Sequence, residues 1–362
     1  MKFELKTRQI CLFFIAFLPI SKLFTMPSIV AGISSEDAFI SILVNAFFDL
    51  ITLSILIFAC KKAKMGFFDI LKSVLGNIGA KCVVFLYFIF FMLKAVLPIN
   101  ETKEYVEFTL YTLLPTTFYF LPFFIVAVYF CTKRLRLIGR LSDVAWLITL
   151  IGLFLLFTLS ISNADFTAIL PIGAQGVPKI LRGSFSSLPW FGDSVYLMFF
   201  IGEFAYQKKD GIKIFLSYLL GIALVVIFII IFYCIFTSIA HRQRFALTEI
   251  SKYTTVINNT GRFDYIGILL ILLSNIFTLS IPLFFATRML NFIFNFKLKC
   301  ISPIIVVGLQ FILSTQFSNM FASIENFIIN YASFYFFALA NVLPVLTIIF
   351  SGKEKKYELQ KS

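Results

Sequence analysis

The chain has 362 residues, of which 60% are hydrophobic and 14% charged. No soluble domain of that length can hide so much apolar surface, so the composition specifies a polytopic membrane protein. The formal net charge of +13 does not mark a nucleic-acid binder, because the basic residues lie in short clusters between apolar runs, as they do in cytoplasmic loops.

Apolar runs of spanning length, about 17–25 residues, fall at 9–31, 38–59, 80–100, 115–131, 144–161, 183–204, 212–236, 264–286, 302–320 and 332–350. They predict an all-α integral membrane protein of ten spans, with a single transmembrane domain over 1–352 and a short charged cytoplasmic tail at 353–362. With the N-terminus inside, 21 of the 31 Lys and Arg residues fall in inner segments and 7 in outer ones, which places both termini in the cytoplasm. Residues 1–27 start basic and turn apolar. Lys22 interrupts them and no A-x-A site follows, so they are expected to stay as the first span and not to be cleaved as a signal peptide.

The first span is interrupted by Pro19-Ile20-Ser21-Lys22 and Thr25-Met26-Pro27. In the second, Asn45 and Asp49 lie four apart on one face, a pattern that bridges helices. Residues 61–79 carry Phe67, Phe68, Ile70, Leu71, Val74, Leu75 and Ile78 between charges, the spacing of an amphipathic helix on the inner interface. The third span holds Lys94, whose mid-span charge should face the interior, followed by Pro98, Glu101, Lys103 and Glu104. Before the fifth span, Gly139-Arg140-Leu141-Ser142-Asp143 offers Ser142 or Asp143 as a helix cap. Residues 173–183 read as a short outer helix leading into the sixth span. The sixth span contains Pro189-Trp190-Phe191-Gly192-Asp193, and its last charge, Glu203, reads as solvated beside Lys208 and Lys209. The eighth offers Asn275 and Thr278, with Ser274 nearby.

A carboxylate at the middle of a span costs about 2.5–3.5 kcal/mol on insertion scales, which makes Asp193 a functional candidate. Spans one and six are the two interrupted ones. Their separation is that of a five-plus-five inverted repeat of the LeuT-like type, in which the broken middles of helices 1 and 6 form the substrate site. Half-helix N-termini there face a carboxylate and unwound carbonyls face an ammonium, a pair of ends that suits a zwitterionic amino acid. The candidate ligand-binding residues are Ser21, Lys22, Thr25, Lys94, Phe191, Gly192, Asp193, Asn275 and Thr278. Lys22 and Asp193 are expected within reach of each other. Either they form a static pair that fixes helix packing, or one of them exchanges its partner for a ligand. His241 is the only histidine, which excludes a multi-histidine metal site. The six cysteines show no metal-ligand spacing and read as free thiols. No P-loop or G-x-S-x-G is present. No cofactor, no metal and no enzymatic activity are expected.

Several stretches carry a resemblance. Met26-Pro27-Ser28, then Glu36-Asp37-Ala38-Phe39-Ile40-Ser41, is similar to a Leu-Pro followed by Gln-Asp-Ala-Trp-Ile-Ser. Residues 139–143 resemble an Arg-x-Ala-Glu pattern. Gly176-Val177-Pro178-Lys179-Ile180-Leu181-Arg182-Gly183-Ser184 followed by Phe191-Gly192-Asp193 resembles a Gly-x-x-Pro run and a Phe-Gly-Glu. In order and spacing these resemble the spore germination receptor B-subunit family, permease-like members of the amino-acid/polyamine/organocation superfamily. The resemblance implies a receptor subunit of the spore inner membrane that works with A and C subunits and recognises a small germinant, with an amino acid expected. It carries the sixth-helix break onto Gly192-Asp193 and the first-helix break onto Ser21 to Thr25. The chain departs from the pattern in having Pro19 and Lys22 where small residues are usual, and Asp193 where Glu is usual. A proton-coupled amino-acid or amine transporter is the alternative reading, and a scaffold that has lost its ligand is a third.

Overall fold

The structure is a computed structural model that describes residues 3–62, 65–109, 116–252, 264–296, 298, 300–316 and 320–347. Lys353 to Lys361, the charged tail and much of the loop before the eighth span therefore lie outside the described residues. Within them the chain is helical, with one isolated bridge between Leu5 and Phe204.

The first span is two helices, α1 (Thr7–Ile20) and α2 (Met26–Ser34), separated by an unwound stretch at 21–25. Pro27 in the first turn of α2 explains the restart, since proline there loses no helical hydrogen bond. Spans two to five are α3 (Ala38–Lys62), α4 (Phe67–Thr109), α5 (Thr116–Cys131) and α6 (Arg136–Ser160). The sixth begins as α7 (Gly176–Ser187), breaks over 188–194 and resumes as the single turn α8 (Val195–Phe199). Spans seven to nine are α9 (Asp210–Phe236), α11 (Asp264–Phe294) and α12 (Ile301–Gln316), with the short α10 (Ala246–Lys252) between the first two of these. The tenth runs from α13 (Phe321–Phe327) through α14 (Ser333–Phe337), each followed by a π turn, and is described as far as Thr347.

Polar contacts sort the ends of these spans onto two faces. On one, the backbone of Glu4 and Leu5 meets Glu203 O, and Arg288 reaches toward both Glu4 and Glu203. Arg8 pairs there with Asp143 at 2.8 Å. On the other, Asp37 accepts from the amides of Gly173 and Gln175 at 2.7 and 2.9 Å, and Arg244 pairs with Glu104 at 2.8 Å. The acidic pair Glu36-Asp37 thereby gains a structural reason, because it ties the start of span two to the loop that opens span six. In the same loop the hydroxyl and amide of Thr167 hold the Asp165 carboxyl below its ordinary range.

Three local expectations are corrected. The fifth-span helix starts before Gly139, so Ser142 and Asp143 do not cap it. Ser142 bonds back to Ile138 O, and Asp143 instead holds Arg8 and Gln9. The short helix expected over residues 173–183 is α7, which runs unbroken from Gly176 into the sixth span. Glu203 is partly buried beside Arg288, not solvated among lysines. The amphipathic helix starts at Phe67 and ends where Gly76 leaves helical geometry at φ 68°. Its Phe67 and Phe68 pack on Phe199 and Phe292, both at 4.9 Å between ring centroids.

Candidate ligand-binding site

Both breaks arise locally from residues that cannot continue a helix. Pro19 and Pro27 bracket the first, and Pro189 and Gly192 make the second. Gly192 sits at φ +80°, and a Cβ there would stand 2.5 Å from the Ala340 Cβ. Glycine is needed twice over, for the left-handed backbone and for the close approach of the tenth span. The two outer half-helices are held together by small residues. A Cβ on Gly183 would lie 2.7 Å from the hydroxyls of Ser34 and Ser41, and Ser41 donates to Ile180 O at 3.0 Å.

At the level of the breaks the chain buries an ionic cluster. Lys22, 1% exposed, hydrogen-bonds through Nζ to Asp193 Oδ2 and to Leu18 O at 2.9 Å. In an unbroken helix the Leu18 carbonyl would accept from the Lys22 amide. That amide turns to Pro19 O instead, and the Lys22 side chain takes its place. From the third span, Lys94 reaches the other carboxylate oxygen, Asp193 Oδ1, at 3.0 Å and donates to Phe191 O at 2.6 Å. The Phe191 ring lies 5.2 Å from the Lys22 ammonium. Two ammonium groups thus share one carboxylate, which removes much of the cost of burying each.

A second carboxylate supports the break from behind. Asp49 Oδ2 accepts from the Gly192 amide at 3.0 Å and from the Tyr218 hydroxyl at 2.7 Å. Asn45, one turn earlier, donates to Ser184 O at 2.8 Å and Ser187 Oγ at 2.9 Å. Glu101, fully buried, accepts from the Trp190 indole at 2.9 Å. The second and third spans thereby fix the backbone of the sixth.

Free space beside the cluster amounts to about 30 Å³, room for about one or two water molecules. Its walls include Ser21, Lys94, Trp190, Asp193, Tyr196 and Thr278. Aromatic rings pack on the side of α8, with Tyr196 against Phe13 at 5.5 Å and Phe285 at 5.3 Å. On the side of α10 the Ala246 amide bonds to Phe24 O at 2.9 Å.

Of the residues singled out from the sequence, Lys22, Lys94, Phe191, Gly192 and Asp193 form one connected cluster, with Ser21 and Thr278 on the cavity wall. Thr25 lies at the start of α2, buried beside Glu101 and not on the cavity wall. Asn275 also lies off the wall and donates to Thr102 Oγ1 at 2.8 Å. Sequence reasoning read Asp49 only as a helix bridge and missed Glu101 as a partner of Trp190. It missed the aromatic walls altogether. A chain with 49 Phe residues gives no signal that separates a cavity ring from a lipid-facing one.

The interrupted first and sixth helices, packed at a buried polar centre, define a membrane protein of the LeuT-like transporter fold. Among solved structures the chain is similar to a manganese transporter from Eremococcus coleocola, determined in complex with an aromatic bis-isothiourea substituted compound. The TM-score is 0.55 at 10% identity, over 94% of this chain and 78% of that one. The likeness shows the fold. No curated protein matches the sequence. The chain belongs to the spore germination protein family of permeases, whose pattern matches residues 4–322.

Proposed function

We propose that this chain is the membrane subunit of a nutrient-germinant receptor, in which a small molecule enters between the breaks of spans one and six and its occupancy signals germination. The observation that carries the reading is the Lys22–Asp193–Lys94 cluster. It ties three spans together at the one place where two of them are unwound, so a ligand that parts it changes how those spans pack. Family membership supports a role in germination, in the spore inner membrane and alongside A and C subunits. The resemblance points to an amino acid as germinant.

The transporter fold favours a second reading, proton-coupled uptake of an amino acid or amine. Manganese, the cargo of the structural relative, does not suit this site. Its carboxylate is already shared by two ammonium groups, and the described residues contain no cluster of three or more His, Cys, Asp or Glu. Asp193→Asn separates the readings. In spores the variant should lose the response to one nutrient while the protein still reaches the membrane. In proteoliposomes the wild type should accumulate no labelled amino acid. Concentrative uptake by the wild type, abolished in Asp193→Asn, would establish the transporter instead.

A further inference from the structure

We infer that the occupant of this site is a small organic acid with an apolar body and no free amino group, because Lys22 already supplies the ammonium that an amino acid would bring. The inference rests on the ligand site proposed above and names its chemistry.

Recognition of an ammonium takes hydrogen-bond acceptors at an unwound helix end, a carboxylate and an aromatic face. All three are present, and all three are engaged by the chain itself. The Lys22 ammonium holds Leu18 O at the broken end of α1, Asp193 Oδ2 and the face of Phe191. Asp193 Oδ1 is taken by Lys94. Asp49 is no substitute, since it does not line the cavity and its Oδ2 accepts from both the Gly192 amide and Tyr218. A ligand ammonium would be the third cation around one carboxylate, in a medium where like charges repel strongly.

For an anion the balance is reversed. An ammonium has three donors, and Lys94 spends two of them, on Phe191 O and Asp193. One remains on a residue that lines the cavity. The Ser21 hydroxyl, on the same wall, adds a second donor. The other walls are Phe13, Phe17, Trp190 and Leu279, which accept an apolar body and reject a second charge.

The experiment is isothermal titration of the purified full chain in nanodiscs with matched pairs, alanine against propionate and phenylglycine against phenylacetate. The acid of at least one pair should bind the wild type about tenfold or more tighter than its amino acid, a difference of about 1.4 kcal/mol. Lys22→Ala should reverse that preference, and methylammonium added with the acid should restore acid binding to this variant. Lys94→Gln should weaken acid binding about tenfold. Should Lys22→Ala fail to fold, the wild-type pairs and Lys94→Gln decide the matter. Wild-type protein that binds the amino acid as well as the acid overturns the inference and leaves the ligand site standing, as does an unchanged preference in Lys22→Ala. Binding of no probe to the wild type or to Lys22→Ala overturns the inference and the site together.

Discussion

Replacing the lysines of the buried cluster one at a time and together should expose how its charges share one another. At 3.0 Å, and with an effective dielectric constant of about 20, the Lys94–Asp193 attraction is about 5–6 kcal/mol before desolvation is subtracted. Lys22→Met leaves Asp193 with Lys94, and Lys94→Met leaves it with Lys22. Each single change should therefore cost only about 1–2 kcal/mol, the value of one charge-assisted hydrogen bond where another remains. The double variant strands a carboxylate in the membrane, and breaking a buried pair costs about 3–5 kcal/mol. Its loss should exceed the sum of the single losses by at least about 1 kcal/mol, the sign of residues in one network. Thermal unfolding can be followed with a dye that fluoresces on reaction with thiols, because Cys11, Cys60, Cys131 and Cys234 are buried and free until the protein opens. The double variant should melt about 5–10 °C below the wild type, at roughly 2 °C per kcal/mol for a chain of this size. Strictly additive shifts, or a double variant no less stable than either single one, would refute the shared carboxylate.

Gly192→Ala combines a left-handed backbone, about 1–2 kcal/mol for a residue with a Cβ, with a 2.5 Å approach to Ala340, which as overpacking costs about 1–3 kcal/mol. Ala340→Gly in the same protein should recover the second part and not the first. Complete recovery in the same thermal assay would mean that the backbone conformation does not matter there. Asp37→Ala removes the acceptor for two loop amides and should raise hydrogen exchange at Gly173 and Gln175 about tenfold, matching about 1.4 kcal/mol of lost local stability. Unchanged exchange would show that the loop is held by its other contacts.

The membrane class, the ten spans and the two interrupted helices were legible in the sequence for physical reasons. Hydrocarbon demands long apolar runs, and prolines grouped with glycine or polar residues inside one run mark where a helix is most easily broken. The cost of burying charge made Lys22, Lys94 and Asp193 conspicuous one by one. Span ends were less legible. The fifth and eighth helices extend into polar residues such as Arg136 and Asp264, because a helix continues past the apolar core as long as its backbone bonds are better than water.

Only the tertiary structure decided which charges meet. No spacing rule brings Lys94, from the third span, to Asp193, and none turns Asp49 toward the Gly192 amide while Asn275 is taken up by Thr102. Those partnerships depend on how the spans are rotated against one another, which packing sets and hydropathy does not record. The sequence by itself determined that the breaks at Pro19–Pro27 and Pro189–Asp193 would face each other across a polar centre. The structure decided that this centre is already filled, with Lys22 on the carbonyl of Leu18 and the carboxylate of Asp193, because an unwound helix end needs a donor and the nearest one is on the chain itself.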